Sequence, residues 1–143
     1  MKQDIAITVD AVIVKDLESS SSVLLIKRKN DPFKDNWALP GGFLEETENL
    51  EEGAKRELLE ETGVAIKELY QLKTYGNLHR DPRGRTISIA FISFLNKEVT
   101  ITSGDDAKEA KWFNINKLPE LAFDHVEIIE DAKKYLQNNK LQS

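Results

Sequence analysis

Cysteine is absent from this sequence of 143 residues. Disulfide bonds and thiolate metal sites are therefore excluded, and any bound metal must be held by other ligands. Long apolar runs are also missing, because no stretch approaches the ~20 residues that a membrane-spanning helix requires. The first four residues lead directly into an alternating stretch and do not resemble a secretory leader. We therefore expect a cytoplasmic protein that has no membrane partner.

The chain also lacks an excess of positive charge. Its net charge is −5, and residues 45–61 alone carry eight acidic and two basic side chains, a local charge of −6. The rest of the chain is then close to neutral, so we expect no nucleic-acid partner. A segment this acidic binds a phosphorylated ligand only if metal ions reverse its local charge. The length is that of one domain, and we expect residues 1–143 to form a single domain.

The acidic segment contains a helix whose two ends are marked in the sequence. Asn49 followed by Glu52 is the pattern of a capping box, and Gly63 is typical of the left-handed residue that ends a helix. These signals predict a helix over about residues 50–62.

Glu57 and Glu61 project into or beside the apolar stripe of this helix, at about 100° of rotation per residue. Burying unpaired carboxylates is costly, and two carboxylates one helical turn apart also repel each other. A divalent cation would compensate both effects, and ligands that are all oxygen atoms favour Mg²⁺ or Mn²⁺ over zinc. The alternative is that these acids form ion pairs with Lys55 or Arg56 on a solvated face of the helix.

The spacing of residues across this segment follows a known pattern. Gly42 is followed after five residues by Glu48, and after seven more residues by Arg56-Glu57-Leu58-Leu59-Glu60-Glu61-Thr62-Gly63-Val64. This arrangement resembles the Nudix box of Nudix hydrolases, Gly-x5-Glu-x7-Arg-Glu-U-x-Glu-Glu-x-Gly-U, at every fixed position, where U is a bulky apolar residue. In that family the box holds divalent cations against a diphosphate.

The resemblance implies roles for individual residues of the box. It implies that Arg56 and Glu48 form an orienting ion pair and are not metal ligands. It leaves the general base open, because Nudix enzymes place it either on the box helix or on a distant loop. Here the loop option is represented by Asp105, Asp106 and Glu109, and we keep Asp106 as a catalytic candidate. The implied metal ligands are the side chains of Glu57, Glu60 and Glu61 and the backbone carbonyl of Gly41.

Apolar, β-branched segments outside the box predict a sheet. We expect strands over residues 5–14, 23–28, 66–75 and 86–94, and a second amphipathic helix over 126–136. Residues 103–113 should form an acidic loop that runs into a short strand. Because each helix has a single apolar stripe, the two helices should cover opposite faces of the strands. The sequence therefore predicts an α/β fold, a Nudix-type α/β/α sandwich with a mixed central sheet.

Two groups of side chains outside the box are candidates for substrate binding. Arg80, Arg83 and Arg85 crowd the turn between two predicted strands, where they would form bidentate contacts to phosphate or merely keep a sheet edge soluble. Trp37 and Phe33 precede the box and would stack on adenine, although packing in the core is an equally good interpretation. We take all five as candidate substrate-binding residues.

The second half of the chain narrows the resemblance to one branch of the family. Residues 80–86, 104–107, 110–112 and 118–125 are similar to the ADP-ribose pyrophosphatases among the Nudix hydrolases. This similarity implies metal-dependent hydrolysis of the diphosphate of ADP-ribose, or of a related nucleoside diphosphate derivative, giving AMP and a phosphorylated product. The expected partner is thus a small-molecule nucleotide, and formation of a homodimer is left open.

Two other functions stay open from the sequence. The box does not indicate which leaving group the substrate carries, so cleavage of oxidised nucleoside triphosphates is one alternative. Related repressors of NAD metabolism bind ADP-ribose without cutting it, so a non-catalytic ADP-ribose sensor is the other. Those repressors carry an additional DNA-binding winged helix, for which we expect no room in 143 residues.

Overall fold

The computed structural model describes residues 1–16, 20–96, 99–104 and 107–142. Within these ranges no helix is both long enough and apolar enough to cross a membrane. The strands and helices, numbered in chain order, are β1 (Ala6–Lys15), β2 (Ser22–Arg28), β3 (Trp37–Ala38), β4 (Gly41–Phe43), α1 (Leu50–Thr62), β5 (Tyr70–Tyr75), β6 (Thr86–Leu95), β7 (Ala107–Asn114) and α2 (His125–Gln142).

The strands form one mixed sheet. β1 and β6 run parallel along their whole length, from Ala6 opposite Thr86 to Lys15 opposite Leu95. β1 pairs antiparallel with β2 and β4, β2 with β3 and β7, and β5 with β6. Along the sheet the order is β3-β2-β1-β6-β5. The mixed central sheet predicted from the sequence is confirmed.

Alternation of side chains along β1 builds a core on each face of the sheet. Ile13 packs in the cluster that contains Leu58 of α1, whereas Val12 packs in the cluster that contains Ile128 of α2. The other apolar residues of β1 follow the same rule, with Val9 and Ala11 on the α1 side and Val14 on the α2 side. The two helices therefore cover opposite faces, and the predicted α/β/α sandwich is confirmed.

The predicted boundaries are correct for α1 but not for α2. α1 begins and ends where predicted, with Asn49 and Glu52 forming the capping box and Gly63 adopting a φ of 74°. α2 begins at His125 and continues to Gln142, beyond the predicted end at residue 136. The prediction stopped where the apolar pattern stops, but the sequence that follows includes Gln, Lys and Leu, which are favourable residues in a helix.

β5 begins at Tyr70, not at residue 66 as predicted. Among the residues that the structure describes, the segment before β5 pairs with no strand and is held by α1 instead. The N–H of Leu69 donates to the carboxylate of Glu51 at 3.2 Å, and Val64 is buried in the core on the α1 side. Apolar side chains in this segment therefore serve helix packing, which the sequence pattern alone does not distinguish from a strand.

β1 changes its neighbour along one edge, and this change opens a cleft. Near its start β1 pairs with β4, with Asp10 opposite Gly41, whereas near its end it pairs with β2, with Val14 opposite Val23. β6 occupies the other edge throughout, so β2 and β4 must diverge from the same edge. The cleft lies at this divergence, and Gly41 forms part of its wall.

Thr102 and Gly104, which precede β7, hold the C-terminal end of α1 in place. The N–H of Thr102 donates to the carbonyl of Thr62 at 2.9 Å, and the N–H of Gly104 donates to the carbonyl of Glu61 at 3.1 Å. A Cβ atom added to Gly104 would overlap the carbonyl oxygen of Glu60. Because backbone atoms do not yield as a flexible side chain does, this close approach requires glycine.

Replacing Gly104 with alanine should therefore destabilise the protein. We expect Gly104→Ala to lower the free energy of unfolding by about 1–3 kcal/mol, the range for overpacking a closely packed region. Gly76→Ala is the matched control, because a Cβ atom there meets its nearest neighbour, Cγ1 of Ile87, at an ordinary 3.8 Å. Chemical denaturation measures both variants, and equal stabilities would contradict the constraint at Gly104.

Candidate active site

Two acidic side chains of α1 approach the backbone of β4. Oε1 of Glu61 accepts the N–H of Gly41 at 2.7 Å, and the Glu61 side chain is buried. A Cβ atom added to Gly42 would lie only 2.6 Å from Oε1 of Glu57. Both carboxylates thus converge on the same dipeptide. A Cβ atom at Gly41 would overlap the backbone of β1, and one at Gly42 would press on the Glu57 carboxylate.

Arg56 forms hydrogen bonds with three acidic side chains of the box. It donates two hydrogen bonds to the Glu48 carboxylate, at 2.9 and 2.7 Å. A further guanidinium nitrogen donates to Glu57 at 2.9 Å and to Glu60 at 3.2 Å. The hydrogen bonds from Arg56, with one from the N–H of Glu45, lower the pKa of Glu48 to about 2. Arg56 therefore holds three acidic side chains in one arrangement.

The donor atoms beside Gly41 have the chemistry of a site for a hard divalent cation. The carboxylates of Glu57 and Glu61 face the same backbone, and oxygen donors of this kind suit Mg²⁺ or Mn²⁺. Within the part of the chain that the structure describes, no three acidic or histidine side chains are grouped closely enough to surround an ion. Glu57 and Glu61 are thus the residues that would hold a cation, and Glu60 would have to leave Arg56 to join them.

Two adjoining clefts meet at the β4 glycines. Both the inner cleft and the outer cleft are open to solvent. A ligand bound across the shared residues would extend in two directions. The clefts share Thr8, Ile26, Arg28, Gly41, Gly42, Glu61 and Arg83. The inner cleft is lined in addition by Asp10, Ala38, Leu39, Arg80, Asp81, Ser88, Phe123 and His125, and the outer cleft by Lys29, Asn30, Asp31, Phe43, Glu45, Arg56 and Glu57.

Arg83 is the predicted substrate-binding arginine that lines both clefts. It donates two hydrogen bonds to Asp81, at 3.1 and 2.8 Å, and its side chain keeps 39% of its surface exposed. Its guanidinium lies 4.8 Å from the ring centre of Phe43 and 5.4 Å from that of Phe123. These contacts orient a cation with planar donors toward the clefts, which suits a phosphate group.

The other two predicted arginines have different surroundings. Arg80 is buried, and it donates to both carboxylate oxygens of Asp124 at 2.9 and 2.6 Å, so it forms an internal ion pair at the edge of the inner cleft. Arg85 lines neither cleft, and it donates to the carbonyl of Gly76 at 2.6 Å. Arg85 therefore ties the two sides of its own turn together.

The two aromatic residues predicted to stack on adenine line neither cleft. Trp37 packs edge-on against Phe113 at 4.7 Å in the core on the α2 side. Phe33 packs against Phe123 at 4.8 Å. The rings that do line the clefts are those of Phe123 in the inner cleft and Phe43 in the outer cleft. Closeness to the box in sequence did not indicate which face of the sheet each ring would occupy.

Of the three acids suggested for the distant loop, the structure describes only Glu109. Asp106, like Asp105, lies outside the described residues. Glu109 is exposed in β7 opposite Lys27 of β2, and it lines neither cleft.

Two residues that the sequence analysis missed lie on the floor of the inner cleft, Asp10 of β1 and His125 of α2. Burial raises the pKa of Asp10 to about 7, against the opposing charge of Arg80. Nδ1 of His125 accepts the N–H of Leu39 at 3.0 Å, and burial lowers the pKa of His125 to about 4. A single acid within an otherwise apolar strand was the signal available for Asp10 in the sequence.

The family of the chain follows from comparison with known proteins. A family model, the NUDIX domain, matches residues 5–132. This match spans both helices of the sandwich, as far as residue 132 of α2, and all of the box. The chain therefore belongs to the Nudix family.

Three relatives show which members of that family this chain is similar to. An ADP-ribose pyrophosphatase of Methanocaldococcus jannaschii is 50% identical over 131 residues, which cover 91% of this chain and 74% of the relative. The ADPR responsive transcriptional repressor NtrR of Acinetobacter baylyi is 36% identical over 135 residues, which cover 92% of this chain and 54% of the relative. The solved NUDIX domain of Shewanella oneidensis NrtR, complexed with ADP ribose, superposes with a TM-score of 0.88 at 34% identity, covering 94% of this chain and 90% of that one.

The ion pair between Arg56 and Glu48 predicts a pH-dependent contribution to stability. Because the pKa of Glu48 falls from 4.5 to about 2 on folding, the pair contributes fully above about pH 4.5 and its contribution is lost as the pH falls through about 2. Glu48→Gln should therefore be less stable than the wild type near neutral pH, by a margin that shrinks in acid. Denaturant unfolding at a series of pH values measures this margin, with the exposed Glu46→Gln as control. A margin independent of pH would contradict the assignment.

Proposed function

We propose that this chain is a divalent-metal-dependent hydrolase that cleaves the diphosphate of ADP-ribose into AMP and a phosphorylated ribose. The observation that carries this proposal is the meeting of two clefts at Gly41 and Gly42, where Glu57 and Glu61 face the backbone. The diphosphate of ADP-ribose carries a substituent at each end, and this geometry offers a cleft to each. A nucleoside triphosphate carries a base and sugar at one end only.

The relatives support the same substrate. The M. jannaschii relative at 50% identity is an ADP-ribose pyrophosphatase, and the S. oneidensis domain of the same fold was solved with ADP ribose. Nudix hydrolases generally need divalent metals. We propose Mg²⁺ as the cofactor, with Mn²⁺ as its substitute, because the side chains offered beside Gly41 are carboxylates.

The residues around the diphosphate have distinct tasks in this reaction. A bound cation would activate the attacking water and offset the charge that develops on the bridging oxygen. Glu57 and Glu61 would hold the cation, with the Glu61 carboxylate fixed by the N–H of Gly41. Arg56 orients Glu57 through its hydrogen bond of 2.9 Å. Arg83, which lines both clefts, would neutralise and position the phosphate groups.

A hydrolysis screen tests the proposal directly. The purified protein is assayed in Mg²⁺ with ADP-ribose, NADH, diadenosine polyphosphates, a sugar nucleotide and 8-oxo-dGTP, and the products are separated by chromatography. We expect the highest kcat/KM for ADP-ribose, with AMP among the products. A higher kcat/KM for 8-oxo-dGTP would contradict ADP-ribose as the substrate. Binding of ADP-ribose without cleavage would indicate that the chain is a sensor.

The variant Glu61→Gln separates the charge of this side chain from its packing. Glutamine keeps an oxygen that accepts the N–H of Gly41, so the metal-free variant should be at least as stable as the wild type. Its gain in Tm on addition of Mg²⁺ should shrink, because a ligand stabilises the fold according to its affinity. We expect kcat to fall by about 100-fold or more. These expectations are tested by thermal melting of both proteins in chelator and in Mg²⁺, with a parallel turnover assay. If the variant keeps full Mg²⁺-dependent turnover, Glu61 is not part of the proposed metal site.

Arg83 and Arg85 form a matched pair for testing substrate binding, because Arg83 lines both clefts and Arg85 lines neither. Arg83→Ala should lose about 1.5–3 kcal/mol of binding, the scale of a charge-assisted hydrogen bond. This loss should appear mainly in KM if the contact is the same in the ground and transition states. Arg85→Ala should leave KM for ADP-ribose close to that of the wild type. Equal increases in KM for both variants would contradict the placement of phosphate beside Arg83.

A further inference from the structure

A buried oxygen without a partner lies on the floor of the inner cleft. Oδ2 of Asp10 is buried and accepts no hydrogen bond from the residues that the structure describes. The whole side chain is buried, with the residue only 5% exposed, yet it lines the cleft. Buried polar atoms in native proteins are nearly always paired, so an exception that lines a cleft is a group that a bound ligand can satisfy.

His125 presents a hydrogen-bond donor to the same space. Its Nδ1 accepts the N–H of Leu39, so the neutral imidazole carries its proton on Nε2. Nε2 lies 3.9 Å from Oδ1 of Asp10, which is too long for a direct hydrogen bond. An acceptor and a donor thus stand side by side on the floor of the cleft, and neither satisfies the other.

We propose that the inner cleft binds adenine and reads its edge, with Oδ2 of Asp10 accepting from the 6-amino group and Nε2–H of His125 donating to ring nitrogen N1. This inference rests on the proposed function, in which the ligand is an adenine nucleotide. Adenine offers a donor beside an acceptor on this edge, the complement of the pair on the floor. Hypoxanthine and guanine offer the opposite order, an acceptor at position 6 beside a donor at N1.

The walls of the two clefts decide which end of ADP-ribose lies where. Polar side chains line both clefts, but the inner cleft has in addition the apolar side chains of Ala38, Leu39 and Phe123, which suit the faces of a flat base. A ribose, which carries hydroxyls around its ring, would leave some of them unpaired against these walls. The outer cleft is bordered mainly by charged and amide side chains, which suit the ribose end of the ligand.

The test compares ADP-ribose with IDP-ribose, which differs only in the donor and acceptor at positions 6 and 1. Dissociation constants are measured by calorimetry with Ca²⁺ in place of Mg²⁺, so that a hard divalent cation is present while turnover is limited, and kcat/KM is measured in Mg²⁺. The variants are Asp10→Asn, whose amide offers both a donor and an acceptor, and His125→Asn, which keeps an acceptor for Leu39 but loses the Nε2 donor. Tyr75→Phe is the control, because it removes a partly buried hydrogen bond to Asp131 on the same face of the sheet and outside the cleft.

We expect the wild type and Tyr75→Phe to bind ADP-ribose at least about tenfold more tightly than IDP-ribose, since a site built to pair with one pattern leaves its groups unpaired with the other. Both floor variants should lose most of this preference. Equal binding of the two nucleotides by the wild type would overturn the inference and leave hydrolysis of ADP-ribose standing. An absence of ADP-ribose cleavage with a retained preference for adenine would overturn the proposed function alone. A preference unchanged in Asp10→Asn would also overturn the inference.

Discussion

The close approach of two carboxylates to a glycine backbone is the constraint on which the site depends. Glu61 accepts the N–H of Gly41, and Glu57 occupies the space that a side chain at Gly42 would need. A side chain at Gly42 would press on the Glu57 carboxylate, whereas one at Gly41 would overlap the backbone of β1 at Val9 and Asp10. The two glycines therefore allow β4 to lie close both to α1 and to β1, and the carboxylates of the box meet the sheet at this point.

The position of the site follows from the sheet. β1 keeps β6 along one edge but exchanges β4 for β2 along the other, and strands that diverge from a shared edge leave a gap between them. Because Asp10 points to the α2 side and Glu61 arrives from the α1 side, the gap joins both faces of the sandwich. A ligand with two different ends matches such a gap better than a ligand with one.

The parts of this molecule that could be predicted from sequence are the local ones. The ends of α1 follow from caps within a few residues, and the acids of the box follow from spacing within one helix. Trp37 could not be placed because only the register of β3 sends its ring to Phe113. The floor of the inner cleft could not be predicted either, because it depends on a tertiary contact: His125 meets Leu39 across 86 residues of sequence.

Arg56 shows why the acidic segment remains folded despite its charge. Like charges concentrated on one helix and its preceding loop repel, yet Glu48, Glu57 and Glu60 all receive hydrogen bonds from this one guanidinium. A lysine has a single point charge and could not span three carboxylates, whereas the planar fork of arginine has five donors. A cation held by Glu57 would share that carboxylate with Arg56, which donates a hydrogen bond to its Oε1. Binding of metal and the arrangement of the arginine are thus coupled through Glu57, and the arginine is as much a part of the ion's site as the acids that would hold it.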